Sequence, residues 1–138
     1  MYNNYKVRSN GVVTVIHSNE KYCTCSLNGI MDILGKKWAI FVLNSIGNHG
    51  TVRFNKLYKE MKGVSPSTLS TTLRELADRN IIEKKMFAEV PPRVEYSLTE
   101  TGMELRGSII PLLRWAAKYD TETRETECCD DNQYISII

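Results

Sequence analysis

Apolar residues recur every three or four positions in the first half of the chain, a spacing typical of helices that bury one face. Between residues 27 and 46 this period is interrupted at Gly35-Lys36-Lys37, so we predict two short helices or one bent helix. The glycines at 47–50 are expected to stop it. Another helix is predicted to begin at Arg53-Phe54-Asn55, with Asn55 as its cap, and to end at residues 62–63.

The clearest helix signal begins at Ser65-Pro66, where serine is a favoured N-cap and proline suits the first helical position. Leucines at 69, 73 and 76 follow at the spacing of one buried stripe, which predicts a helix over residues 66–79. Its opposite face carries short hydroxyl side chains and one arginine. A solvated surface helix explains such a face as well as a DNA-reading helix does.

The short turn at residues 62–64 favours the DNA-reading interpretation, because two helices joined this closely match a helix-turn-helix. Hydroxyl and guanidinium groups bond to base edges or phosphates without the steric bulk that would block a major groove. The predicted reading residues are Ser65, Ser67, Thr68, Ser70, Thr71 and Arg74.

A β-hairpin is predicted next, from strands at 81–87 and 94–98 that flank Pro91-Pro92. A stiff basic hairpin after a helix-turn-helix is a wing, although exposed lysines also serve simply to keep an edge strand from pairing with other chains. We predict that the basic residues of the wing and the preceding helix contact DNA phosphates. They are Arg53, Lys56, Lys59, Lys84, Lys85 and Arg93.

The last predicted helix begins at the cap Thr99 and reaches about Lys118. Its apolar side chains exceed what one small core can cover, which favours a homodimer over a monomer with this helix packed inward. The predicted interface consists of Leu105, Ile109, Leu112, Leu113, Trp115 and Ala116. The fold class is therefore mainly α with a small β-hairpin, a winged helix-turn-helix whose outer helices form a dimer.

Length and composition allow one globular domain in 138 residues. We expect an N-terminal arm at 1–22, the winged domain at 23–119 and an acidic tail at 120–138. The net charge of +2 is small, but nine basic and five acidic residues lie between 53 and 93, which concentrates positive charge on the predicted DNA-binding part. No apolar run is long enough for a membrane span and no signal peptide is recognised, so a cytoplasmic protein is expected.

Several motifs resemble the HxlR-type winged helix regulators, in order and spacing from about 25 to 119. They are Leu34-Gly35-Lys36-Lys37-Trp38, Arg53-Phe54-Asn55-Lys56-Leu57, Val64-Ser65-Pro66, Leu73-Arg74-Glu75-Leu76 and the block from Val90 to Gly102. The resemblance implies a dimeric repressor or activator of MarR-like architecture that binds a pseudo-palindromic operator. Thr71 and Thr72 stand where the family usually carries long polar or basic residues, so no operator sequence is transferred.

The same resemblance gives Cys25 a candidate role, since similar regulators often carry a cysteine at this position and some sense oxidants or electrophiles with it. The thiol is expected just ahead of a helix N-terminus, which would favour its thiolate, and Cys23 is a candidate resolving partner. An inert, partly buried thiol is the alternative. Bridges to Cys128 or Cys129, or between subunits, are geometrically easier than a Cys23–Cys25 bridge.

Other function classes find less support. The cysteine pairs lack the spacing of a zinc site, and the two histidines belong to no catalytic constellation, so we predict no metal, no cofactor and no enzyme activity. The remaining alternative is a winged helix that binds another protein instead of specific DNA. A basic wing beside a hydroxyl-rich helix favours the DNA regulator.

Overall fold

The computed structural model describes residues 24–119. The expected arm at 1–22, the tail at 120–138, and Cys23, Cys128 and Cys129 lie outside these residues. A 3-10 helix, Cys25–Leu27, precedes five α-helices and three strands. These are α1 (Met31–Leu34), α2 (Lys37–His49), β1 (Thr51–Arg53), α3 (Phe54–Glu60), α4 (Pro66–Asp78), β2 (Ile82–Phe87), β3 (Arg93–Leu98) and α5 (Glu100–Tyr119).

The predicted winged helix-turn-helix architecture, mainly α with a small sheet, is confirmed. Helices α2, α3 and α4 pack around one core and a small antiparallel sheet closes one side, with strand order β1-β3-β2. The hairpin of β2 and β3 is in register from Ile82↔Leu98 to Phe87↔Arg93. The fully buried side chains at the centre come mainly from α2 and α4, which fixes α4 against the domain by its leucine face. They are Val42, Leu43, Ile46, Leu57, Leu69, Leu73 and Leu76.

Local signals define both ends of α4. Ser65 has extended backbone, and its Oγ accepts a hydrogen bond from the Thr68 amide at 3.1 Å, as an N-cap does. At the other end Asn80 has φ +57°, the left-handed region that asparagine tolerates. The Ile81 amide then donates to the Leu76 carbonyl and the Asn80 amide to the Ala77 carbonyl, which is a Schellman ending. The chain thereby turns directly into β2.

Three features of the first half differ in detail from what the sequence predicted. α2 continues through Gly47 to His49 and ends at Gly50, whose φ is +76°. Asn55 is not a cap, because Arg53 holds that position with extended backbone and no side-chain bond. Strand β1 was not expected at all. It exists because it pairs with β3, with Val52 opposite Tyr96, and not because of any alternation of its own three residues.

Candidate nucleic-acid interface

The exposed face of α4 is polar along its length. Ser67, Ser70 and Arg74 are exposed and Thr71 is half-buried, while the leucines opposite them are buried. Thr72 is buried, and its hydroxyl donates to the Thr68 carbonyl at 2.9 Å. Its side chain is therefore not part of the exposed face. Among the predicted reading residues, those four therefore present side chains toward solvent on one face.

The two remaining predicted reading residues take part in the helix cap. The Ser65 hydroxyl donates to Thr68 Oγ1 at 2.8 Å while accepting from the Thr68 amide. Ser67 Oγ lies 3.2 Å from the same Ser65 oxygen. This hydrogen-bonded first turn holds the amino end of α4 rigid, which suits a surface that must meet a fixed partner.

Basic residues are exposed on three elements besides α4, namely β1, α3 and β2. Arg53 of β1 and the lysines at 56 and 59 of α3 are exposed. In the wing, Glu83, Lys84 and Lys85 are consecutive exposed residues of β2. The predicted phosphate-contacting lysines thus all have side chains that reach solvent.

Arg93 differs from the other basic residues because its charge is engaged within the wing. Its guanidinium lies 3.4 Å from Glu89 and 3.3 Å from Glu95, and it stacks on the Phe87 ring at 4.1 Å. Arg93 Nε makes an ion pair with Glu95 but no hydrogen bond of acceptable angle, so the contact is electrostatic. Arg93 is predicted from the sequence to contact phosphate, and its guanidinium also joins β3 to the Phe87 ring of β2 and to Glu89 of the wing loop.

Two polar contacts join α4 to the segment before α2, and sequence reasoning missed both. Lys36 Nζ is 2.6 Å from Glu75 Oε1, and Arg79 donates to the Gly29 carbonyl at 2.7 Å. Asp32 lies 3.9 Å from the same guanidinium. Partners 39 and 50 residues apart leave no local pattern, so a single sequence contains no signal for them.

Cys25 is exposed, as a sensing thiol requires. The expected helix directly after it was wrong, because the three-residue 3-10 helix Cys25–Leu27 stands there and α1 begins only at Met31. Asn28 and Gly29 favour a turn over a longer helix at this point.

The predicted interface residues of α5 divide into two groups. Leu105, Ile109 and Leu113 pack against the core of their own chain, and Ala116 is half-buried. Leu112 and Trp115 are 52% and 61% exposed. Tyr119, which sequence reasoning omitted, is 59% exposed and its ring lies 5.6 Å from that of Trp115.

Within residues 24–119 we find no helix with the length and hydropathy needed to cross a membrane. The same part of the chain contains no group of three or more His, Cys, Asp or Glu side chains placed to hold a metal ion.

Comparison with known proteins agrees with this architecture. Residues 33–124 match the HxlR-like helix-turn-helix family. The regulatory protein named MalR in Fusobacterium mortiferum is 36% identical over 91 residues, covering 66% of this chain and 86% of that protein. The HTH-type transcriptional regulator sll1512 of Synechocystis is 36% identical over 106 residues, 77% of this chain and 75% of its own.

A solved structure is similar as well. The redox regulator HypR in its reduced form aligns with TM-score 0.65 at 27% identity, covering 73% of this chain and 99% of that one. The family and these relatives are transcription regulators and not enzymes. With two thirds of its length matched by the family model, and a winged helix-turn-helix fold, this chain belongs to the HxlR-like helix-turn-helix family of transcription regulators.

Proposed function

We propose that the protein regulates transcription by binding a specific double-stranded DNA site as a homodimer. The observation that carries this proposal is the exposed face of α4. It presents hydroxyl groups and Arg74, while the leucines on the opposite face of the helix are buried. The side chains on that face are short enough to enter a major groove and polar enough to bond there.

In this proposal the basic residues outside α4 hold the DNA backbone. Lys84 and Lys85 of the wing, with Lys56 and Lys59 of α3, are exposed on elements that flank α4. Phosphate contacts fix register and orientation, whereas base contacts from α4 select the sequence. Arg93 is proposed as the weakest of these phosphate contacts, because Glu89 and Glu95 already pair with its guanidinium.

The exposed apolar part of α5 supports the homodimer. Leu112, Trp115 and Tyr119 lie at i, i+3 and i+7 on one side of the helix. Large exposed side chains in such a row are typical of a subunit interface. A twofold pair would present two α4 helices to successive major grooves of a pseudo-palindromic site.

A redox or electrophile response through Cys25 belongs to the same proposal, with Cys23 as candidate resolving thiol. Cys25 is exposed, and a redox regulator is among the similar structures. Arg79 bonds the Gly29 carbonyl, so modification four residues away would act on a segment that touches the end of α4. This contact provides a physical route from the thiol to the DNA-binding helix.

The test is fluorescence anisotropy of the reduced protein with its own upstream intergenic DNA and with a scrambled duplex, each over a salt series. We expect tighter, steeply salt-dependent binding to the native duplex. Arg74→Ala should weaken native binding by about 1–3 kcal/mol and scrambled binding less. Lys85→Ala should weaken both and flatten the salt slope, whereas Arg114→Ala, an exposed arginine of α5, is the control.

Equal loss of affinity for both duplexes in Arg74→Ala would refute the division between base and backbone contacts. Weak binding of the wild type to both duplexes at every salt concentration would favour a protein-binding winged helix instead. Pull-down experiments with the whole chain would then identify that partner.

A further inference from the structure

The amino end of α2 borders the exposed face of α4 and has no part in the function proposed so far. Lys36, Lys37 and Trp38 are consecutive at this corner, within one of the motifs that stood out in the sequence. Side chains of both helices line a single cleft. They are Lys36, Trp38, Ser67, Thr68, Thr71, Thr72 and Glu75. The corner therefore adjoins the side chains that we propose to enter the groove.

The two lysines of this corner have different surroundings. Lys36 Nζ is held by Glu75 Oε1 at 2.6 Å, so its charge is compensated and its side chain links α2 to α4. Lys37 is exposed, and its Nζ lies 4.7 Å from the centre of the Trp38 ring. Within residues 24–119 no carboxylate lies at ion-pair distance from Lys37.

The Trp38 ring gives the Lys37 ammonium a preferred position without neutralising it. A cation over an aromatic face is attracted by the electrons of the ring and keeps its charge. Trp38 itself is half-buried and fixed by the core beneath it, and its ring also contacts Phe41 at 5.6 Å. The charge of Lys37 is thus held over the ring of Trp38, and Trp38 lines the same cleft as Ser67 and Thr71.

We propose that Lys37, positioned by Trp38, binds a DNA backbone phosphate beside the groove that α4 enters, so that the DNA-binding surface includes the start of α2. This inference rests on the proposed function. A compensated lysine adds little attraction for phosphate, whereas each uncompensated lysine that reaches a phosphate releases counterions and strengthens binding. Lys36 instead positions α4 through Glu75.

The experiment measures the salt dependence of DNA binding for the whole chain and three variants. Lys37→Ala removes the proposed contact and Lys37→Arg retains its charge. Lys118→Ala is the matched control, because Lys118 also lies over an aromatic ring, Tyr119 at 5.1 Å, but in the last turn of α5. Circular dichroism and light scattering establish that fold and oligomeric state are unchanged in each variant.

For Lys37→Ala we expect the slope of log affinity against log salt to become shallower by about 0.9 per protomer, about 1.8 for a dimer. Between 50 and 200 mM salt the loss of affinity would then be about twelvefold smaller than for the wild type. Lys37→Arg and Lys118→Ala should keep the wild-type slope. The loss should be similar on native and scrambled duplexes, since phosphates are common to both.

A wild-type slope in Lys37→Ala, with the wild type binding DNA, overturns this inference and leaves the proposed function standing. An equal change in Lys118→Ala overturns it too, because the effect would then be general charge. If the wild type shows no salt-dependent DNA binding, the proposed function fails and this inference fails with it.

Discussion

Gly102 provides a sharp test of how α5 is joined to the winged domain. It lies in the first turn of α5, where its amide donates to Thr99 Oγ1 at 3.0 Å. A Cβ at this position would come within 2.0 Å of the Ile81 carbonyl oxygen. That oxygen already accepts bonds from the Thr99 amide at 3.1 Å and the Thr99 hydroxyl at 3.0 Å. Only glycine fits against this carbonyl.

The cost of Gly102→Ala follows from that distance. A Cβ atom is not found closer than 3.0 Å, so the start of α5 must retreat by about 1 Å from Ile81. Overpacking of this kind costs about 1–3 kcal/mol, and weakening the two hydrogen bonds to Ile81 adds about 1 kcal/mol each. In the opposite direction, the higher helix propensity of alanine stabilises the helix by about 1 kcal/mol. We therefore expect the free energy of unfolding to fall by about 2–4 kcal/mol.

Urea unfolding followed by circular dichroism, at one protomer concentration, measures this loss. Gly107→Ala is the control in the same helix, because a Cβ there has nothing within 4 Å. It should raise the free energy of unfolding by up to about 1 kcal/mol. If Gly102→Ala were as stable as Gly107→Ala, the close approach of α5 to Ile81 would be wrong.

Three further predictions address the interface, a buried phenol and the thiol. Trp115→Glu should convert the proposed dimer to a monomer in light scattering, and an unchanged mass would contradict an interface on α5. Burial raises the pKa of Tyr96 above its usual value of 10.0, so its neutral form is favoured in the folded state. Stability should therefore decline above about pH 10 in the wild type more steeply than in Tyr96→Phe; parallel profiles would refute this. Diamide should lower DNA affinity of the wild type and not of Cys25→Ser, and equal responses would exclude Cys25.

Those elements whose signals are local were predicted correctly from the sequence. Ser65-Pro66 begins α4 and Thr99 caps α5, because a cap depends on residues only three positions apart. The wing follows from a short strand-like run before two prolines and an alternating run after them. The sequence therefore contained the helix that we propose to enter the groove, with the hydroxyl face opposite its leucines.

Features that depend on distant partners were missed for a physical reason. β1 has a single buried residue, Val52, and is a strand only through its pairing with β3. α2 passes through Gly47, and the Arg106 side chain of α5 packs there so closely that a Cβ would clash with Arg106 Cδ. Arg106 then bonds Asn48 at 2.6 Å. Gly47 was predicted to end α2, but in the structure it lies where the side chain of Arg106, from α5, packs against α2.

The apolar face of α5 shows what the spacing of apolar residues can and cannot predict about packing. At 100° per residue the six predicted interface residues and Tyr119 occupy an arc of about 160°, wider than the stripe of about 100° that one buried contact needs. One edge of that arc, centred on Ile109, is covered by the core, while the other edge, with Trp115 and Tyr119, is left exposed. The sequence predicts the width of the arc, but it does not predict which edge packs against the core of the same chain. Half of the arc has no partner within residues 24–119, and this is why we propose that a second copy of the chain packs on that edge.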